Sequence, residues 1–189
     1  MNDLRSAILM FLVFTIICGG AYPAIVTGVA SAVFPHQAAG SFITGADGKE
    51  SGSALIGQPF SAPKYFWPRP SATTDFAYNP MASGGSNAGP TNPDFIKTVG
   101  DRVAALRTAG VAGPIPADLA LASASGLDPH ITPAAARLQI PRIAKARLLD
   151  EGAVAAILSR TAEDRQLGLL GEPRVNVLML NLALDRLKP

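Results

Sequence analysis

The sequence predicts an α+β protein, with a single N-terminal transmembrane helix followed by one soluble domain that has a short-strand and loop half and a helical half. Three observations carry this. No Asp, Glu, Lys or Arg occurs between Arg5 and Asp47. Residues 35–93 combine eight prolines and eight glycines with seven aromatics. Beyond Phe95 the aromatics stop and apolar residues recur at helical spacing. The boundaries that follow are 1–34 for the tail and membrane helix and 35–189 for the soluble domain, with 35–93 as strands and loops and 94–189 mainly helical.

The run from Ala7 to Phe34 is mostly Ile, Leu, Val, Phe, Ala and Gly. At about 1.5 Å per residue a helix there exceeds the roughly 30 Å hydrocarbon core of a bilayer. Ala30-Ser31-Ala32 has the form of a signal-peptidase site, so a cleaved signal peptide is the competing reading. The apolar stretch is about twice the 7–15 residues of a usual signal core, which favours a retained anchor in the lipid bilayer. Gly20, Ala24, Gly28 and Ala32 recur every fourth position and form a smooth face that a partner helix can approach. Pro23 removes a donor from the ladder and predicts a kink or local loss of hydrogen bonding. The tail carries Arg5 and the terminal amine against Asp3, which places the N-terminus in the cytoplasm and the soluble domain outside the plasma (inner) membrane.

In residues 35–93 the density of Pro and Gly excludes long regular elements, while Phe42, Phe60, Tyr65, Phe66, Trp67, Phe76 and Tyr78 supply apolar area worth ordering. Short strands and structured loops are expected. Asn92-Pro93 then reads as a helix start, with Phe95, Val99, Val103 and Leu106 on one face and Gly110 as the stop. Leu119 and Leu121 alternate within residues 118–123, which fits a short strand. Thr132-Pro133 starts a second helix carrying Ala136, Leu138 and Ile143, which Pro141 should kink or split. Asp150 caps a third, with Val154, Ile157 and Leu158 inward. Asn176 caps a fourth, with Val177, Leu180, Leu184 and Leu187 inward.

Composition narrows the function. Lys and Arg number 16 against 14 Asp and Glu, for a net charge of +2, and no single-sign run offers a phosphate-binding field, so nucleic acid is not an expected partner. Cys18 is the only cysteine and His36 and His130 the only histidines, so neither a disulfide nor a His/Cys-rich metal site is expected. No catalytic residues are assigned. Gly48-Lys49 lacks the Walker spacing, Ser86 lacks the flanking glycine of a nucleophile elbow, and Ser61-Ala62-Pro63-Lys64 has no companion motifs. An anchored hydrolase therefore has the least support.

Three loop motifs remain. Ser83-Gly84-Gly85-Ser86-Asn87 continues to Gly89 and offers amides and hydroxyls for an anion or nucleotide, or else forms a tight glycine turn. Tyr65-Phe66-Trp67-Pro68-Arg69-Pro70 sets a guanidinium among aromatics, so that Tyr65, Trp67 and Arg69 either anchor a partner or fill the core. A membrane-tethered module for sugar or cell-wall polymer would use the same aromatics. The stretch holding Arg137, Arg142, Lys145 and Arg147 has no acid between Asp128 and Asp150, and reads as an acidic-surface contact or a solvated helix face. His130 beside Asp128 fits a local structural hydrogen bond better than general-base chemistry.

Taken in order, Gly52-Ser53-Ala54-Leu55-Ile56-Gly57-Gln58-Pro59-Phe60, the 65–72 stretch, Tyr78-Asn79-Pro80 with the 83–93 loop, residues 125–147 and Val175-Asn176-Val177-Leu178 resemble the C subunit of the Kdp potassium-transporting ATPase. The resemblance spans nearly the whole chain, anchor included, and is less distinctive over 109–117 and 148–170. It implies a non-catalytic accessory subunit in a complex with a channel-like potassium-binding subunit, a P-type ATPase subunit and a small membrane subunit; a physically simpler expectation for its role is that the soluble domain caps the outer mouth of the potassium-binding subunit and stabilises the assembly. It also implies a catalytic chaperone that raises the ATP affinity of the ATPase subunit, with no firmly bound cofactor and ATP met only through a ternary complex. Because ATP is cytoplasmic and the soluble domain is placed outside, either the anchor is inverted or such an effect travels by conformational coupling through the membrane partners.

Overall fold

A computed structural model describes residues 2–45 and 48–187. The chain divides into two compact units, Met1–Phe42 and Ile43–Pro189.

In the first unit, α1 (Asn2–Ile16) runs through a π-helical segment, Ile17–Ala21, into α2 (Tyr22–Val33). Together they make one apolar helix, Asn2–Val33, whose mean hydropathy reaches 2.2 with no buried residue in that stretch. Its length, roughly 48 Å at about 1.5 Å per residue, is enough to cross a membrane. The disturbance expected of Pro23 takes the form of the π segment just before it. The Tyr22 N–H reaches back to Ile17 O, one residue further than in an α-helix, where Pro23 itself donates nothing. One more turn, α3 (Pro35–Ala38), follows.

At the boundary of the two units begins β1 (Phe42–Thr44), which with β2 (Glu50–Ser53) makes a two-stranded sheet. From there to Asn92 the chain is irregular except for a 3-10 turn, Pro80–Ala82, capped by the Asn79 side chain. The helical portion then begins. Asn92 caps α4 (Pro93–Thr108) by accepting from the Asp94 and Phe95 amides, and Gly110, at φ +88°, turns the chain away after it.

Where the alternation of Leu119 and Leu121 predicts a strand, there is instead a helical turn, α5 (Ala117–Ala120). Pro116 sits extended before it, and the Asp118 carboxylate accepts from the Thr132 amide at 2.7 Å, so that Leu119 and Ala120 go inward on the turn. The chain is extended only from Leu121. Next come β3 (His130–Ile131), α6 (Pro133–Arg137), α7 (Ile140–Arg147), α8 (Glu151–Thr161), β4 (Val175–Asn176) and α9 (Val177–Asp185). Thr132, Asp150 and Asn176 cap α6, α8 and α9 as their side chains predict. The predicted second helix is split into α6 and α7, with Pro141 in the first turn of α7.

β3 and β4 pair antiparallel, His130 opposite Asn176 and Ile131 opposite Val175, which brings the starts of α6 and α9 side by side. The core lies among α6 to α9. Ile143, Val154, Leu158, Leu180 and Leu184 meet there with Phe66 from the irregular portion. Phe66 is wholly buried while its neighbours Tyr65 and Trp67 are half-buried.

Candidate functional site

The irregular portion raises an accounting problem. Residues 63–69 run without a strand neighbour, yet a buried peptide group without a partner is costly. Side chains from the helices supply what a neighbouring strand would. The Asn181 amide of α9 accepts from the Phe66 N–H at 2.8 Å and donates to Phe66 O at 3.0 Å. Gln139, between α6 and α7, does the same for Trp67, at 2.8 and 3.1 Å. Both amides are buried, Gln139 completely.

Arg142 of α7 completes this clamp. Its guanidinium donates to Pro63 O, Tyr65 O and Gln139 Oε1 and lies 4.2 Å from the centre of the Trp67 ring. Burial pushes its pKa down to about 10, so it stays charged at neutral pH. Arg147, one turn on, donates to Lys64 O and Leu184 O, pairs with Asp185 at 2.7 Å and covers Tyr65 at 5.0 Å. The Tyr65 hydroxyl donates to the same Asp185 at 3.0 Å. Arg142 and Arg147 therefore belong to neither a solvated helix face nor an open anion patch. Arg137 and Lys145 alone of the predicted basic stretch are exposed.

A second knot lies at Arg69. Its guanidinium pairs with Asp128 at 3.0 Å and reaches Ala122 O, and its own carbonyl accepts from the Tyr78 hydroxyl. Burial, with Asp128 nearby, raises the Tyr78 pKa, so the phenol remains a donor. Burial alone would raise Asp128 too. The hydrogen bonds from His130 and Arg69 outweigh it and hold the carboxyl below its usual range. His130 bonds to Asp128 through its backbone N–H at 2.9 Å and its ring at 3.3 Å, the local structural role expected of it. The Ser71 hydroxyl accepts from the Tyr78 amide and donates to Gly126 O. Beside this knot a groove of about 340 Å³ is lined by Phe60, Trp67, Pro68, Pro70, Tyr78 and Leu106.

The remaining predicted positions are placed as follows. In the Ser83–Asn87 loop, the Ser83 hydroxyl and the Gly84 amide both donate to Ser125 O, and a Cβ on Gly85 would lie 3.1 Å from Ala124 O. Ser86 and Asn87 are exposed. Gly20, Ala24, Gly28 and Ala32 are exposed as well, Gly20 within the π segment and the other three in α2.

Sequence reasoning missed Gln139 and Asn181. The available signal was a lone amide in an apolar helical stripe. Asn181 shares the inward face of Val177, Leu180 and Leu184, where an uncompensated amide is unfavourable.

Other contacts join the separate stretches. The Gly57 amide donates to Leu127 O, the Asn176 side chain to Ala54 O, and the Val177 amide to Pro129 O. Residues 52–60, 65–72, 78–84, 125–147 and 175–178 thus form one bonded framework. Fold and site define a class, namely α+β proteins with one N-terminal helix able to span a membrane and a folded unit whose polar side chains hold its own backbone in shape. The family model for the c chain of the K+-transporting ATPase matches residues 4–186. The chain is 69% identical over 189 residues to the potassium-transporting ATPase KdpC subunit of Geobacter metallireducens, and 67% to that of Geobacter sulfurreducens, with all of both chains covered each time. It is 57% identical over 184 residues to that of Burkholderia vietnamiensis, covering 96% of this chain and 95% of the relative. The chain belongs to the family of the K+-transporting ATPase c chain, and it is a membrane protein.

Proposed function

We propose that this chain is a non-catalytic subunit of an ATP-driven potassium uptake complex, where it stabilises assembly of the potassium-binding and ATP-hydrolysing subunits. The observation that carries the reading is the family match from residue 4 to 186, which takes in both the membrane-length helix and the folded unit. The helix passes once through the plasma membrane, with its N-terminus in the cytoplasm and the folded unit outside. Its open face of Gly20, Ala24, Gly28 and Ala32 packs on a transmembrane helix of the complex. The framework suits a scaffold, since Arg69, Arg142, Arg147, Gln139 and Asn181 are engaged with its own chain.

In this role the subunit raises the ATP affinity of the hydrolytic subunit from the opposite side of the membrane. It does so by favouring one conformation of the complex, which is a coupling free energy between two sites. Potassium-dependent ATP hydrolysis by membranes lacking this chain tests the reading. Loss of activity, with a higher ATP requirement in partly active preparations, is expected, and full activity without the chain would overturn it. A reporter fused after Pro189 tests the orientation, which fails if the reporter is active in the cytoplasm.

A further inference from the structure

Among the described residues four arginines are withdrawn from full contact with water, and three of them are well supplied with partners. Arg69 holds Asp128 and Ala122 O, Arg142 holds three oxygens, and Arg147 holds Asp185 and two carbonyls. Arg102 of α4 is the exception. Its guanidinium finds one acceptor among the described residues, Ala120 O at 3.1 Å from Nη1, and no acid. The neighbouring Asp101 is taken by Lys97 at 2.8 Å. Burial pushes the Arg102 pKa down, the direction of a charge that has given up water without gaining an anion.

Arg102 lines the groove of about 340 Å³ beside the Arg69 knot, a volume within the range that holds small organic ligands. Arg102, Ala105 and Leu106, three and four residues apart, give the groove one face of α4. The polar groups of the facing aromatics are turned into the fold. The Trp67 indole donates to Ala62 O at 3.1 Å and the Tyr78 hydroxyl to Arg69 O, while the Ser71 hydroxyl donates to Gly126 O at 2.8 Å. What the groove offers is therefore apolar surface with one cation short of a partner. We propose that it is a binding site for a monocarboxylate with an apolar body, the chemistry of a short or medium-chain fatty acid, whose chain lies against Trp67, Tyr78 and Leu106 and whose carboxylate pairs with Arg102.

The lining selects this class over others. A peptide brings an N–H and a C=O with every residue, and a sugar brings hydroxyls all round; against Trp67, Tyr78 and Ser71, whose donors are already spent, those groups would lose water and gain no partner. A hydrocarbon chain has no such groups to satisfy, and its burial is favourable. One guanidinium balances one negative charge and presents the fork that a carboxylate accepts. A phosphate monoester carries nearly two charges, and the other guanidinium in the lining, Arg69, is held by Asp128. The site lies within this chain and stands apart from the subunit role.

Trp67 is the only tryptophan and lines the groove, so it reports on the occupant. The full-length chain is reconstituted in phosphatidylcholine liposomes and its emission is titrated with octanoate at neutral pH. A saturable shift is expected, with octanol about tenfold weaker or more, the loss of one charge-assisted contact. Octylammonium should give no saturable shift. Arg102→Gln should erase the preference for acid over alcohol, and Arg102→Lys should restore part of it. Ala105→Phe, which places a ring in the groove, should abolish the response to both; this variant and the three ligands on the parent chain decide the matter even if Arg102→Gln does not fold. A diazirine-bearing octanoate, irradiated in the same liposomes, should label residues within 59–78 or 102–119. Labels confined to 2–33 mark acid dissolved in the bilayer and overturn the proposal. So do equal, unsaturable responses to acid, alcohol and amine, an acid preference that survives in a folded Arg102→Gln chain, or tighter binding of octyl phosphate than of octanoate.

Discussion

The apolar helix Asn2–Val33 and the segment 63–69 solve the same problem, satisfying their backbone groups, in opposite ways. In the helix the polar groups find partners a few residues away, and even the Thr15 hydroxyl bonds within its own turn, to Phe11 O. The side chains are left facing outward and supply no part of the solution. In the segment 63–69 the partners come from side chains 72 and 115 positions along the chain, and the helices of the folded unit must be in place before they can act. In a helix of the first kind the backbone bonds survive change at almost any position that stays apolar. The second kind depends on single atoms.

The contrast can be broken most severely at Asn181. Asn181→Leu keeps the branched shape but leaves the Phe66 N–H and carbonyl buried without partners, at a cost of about 2–5 kcal/mol. Urea unfolding of the full-length chain in detergent should show this as a lower midpoint. Gly126→Ala comes next. Its φ is +67°, and a Cβ would lie 2.5 Å from the Thr73 methyl and 2.8 Å from Gly84 O. The same unfolding measurement should register about 2 kcal/mol.

Arg142→Lys keeps the charge but not the fork that serves Pro63, Tyr65 and Gln139, nor the stacking on Trp67. It should lower stability by about 1–2 kcal/mol, and Trp67 fluorescence should shift with it. Acid offers a gentler test. The Asp128 carboxyl is held below its ordinary value of 3.8, so its ionised form contributes stability above that pH, which is lost as pH falls through the folded-state value. Asp128→Asn should flatten the decline of the urea midpoint with acidification below about pH 4. Pro23→Ala sits at the small end. It restores a donor to the helix at the π segment and should leave the unfolding midpoint of the folded unit unmoved.

These differences track what could be read beforehand. The caps at Asn92, Thr132, Asp150 and Asn176 were legible because a cap is a contact across two or three residues, made by a side chain with its own helix. The strand expected at 118–123 failed because two alternating leucines suit a helical turn as well as a strand. The extended Pro116 before it and the long-range bond from the Thr132 amide to Asp118 favour the turn. The motif at 65–70 reads from the sequence as aromatic and cationic, which suits a partner molecule or a generic core equally well and does not name its partners. The structure gives Trp67 to Arg142, Tyr65 to Arg147 and Arg69 to Asp128.

By itself, then, the sequence determined the membrane-length helix, the helical starts and the position of the break before Pro141. Each follows from residue types within one or two turns of one another. The tertiary structure alone decided that Gln139, Asn181 and Arg142 hold an irregular segment in place of a strand. That assignment needs the helices packed first, because the atoms that bond are distant in sequence and near only in the folded chain.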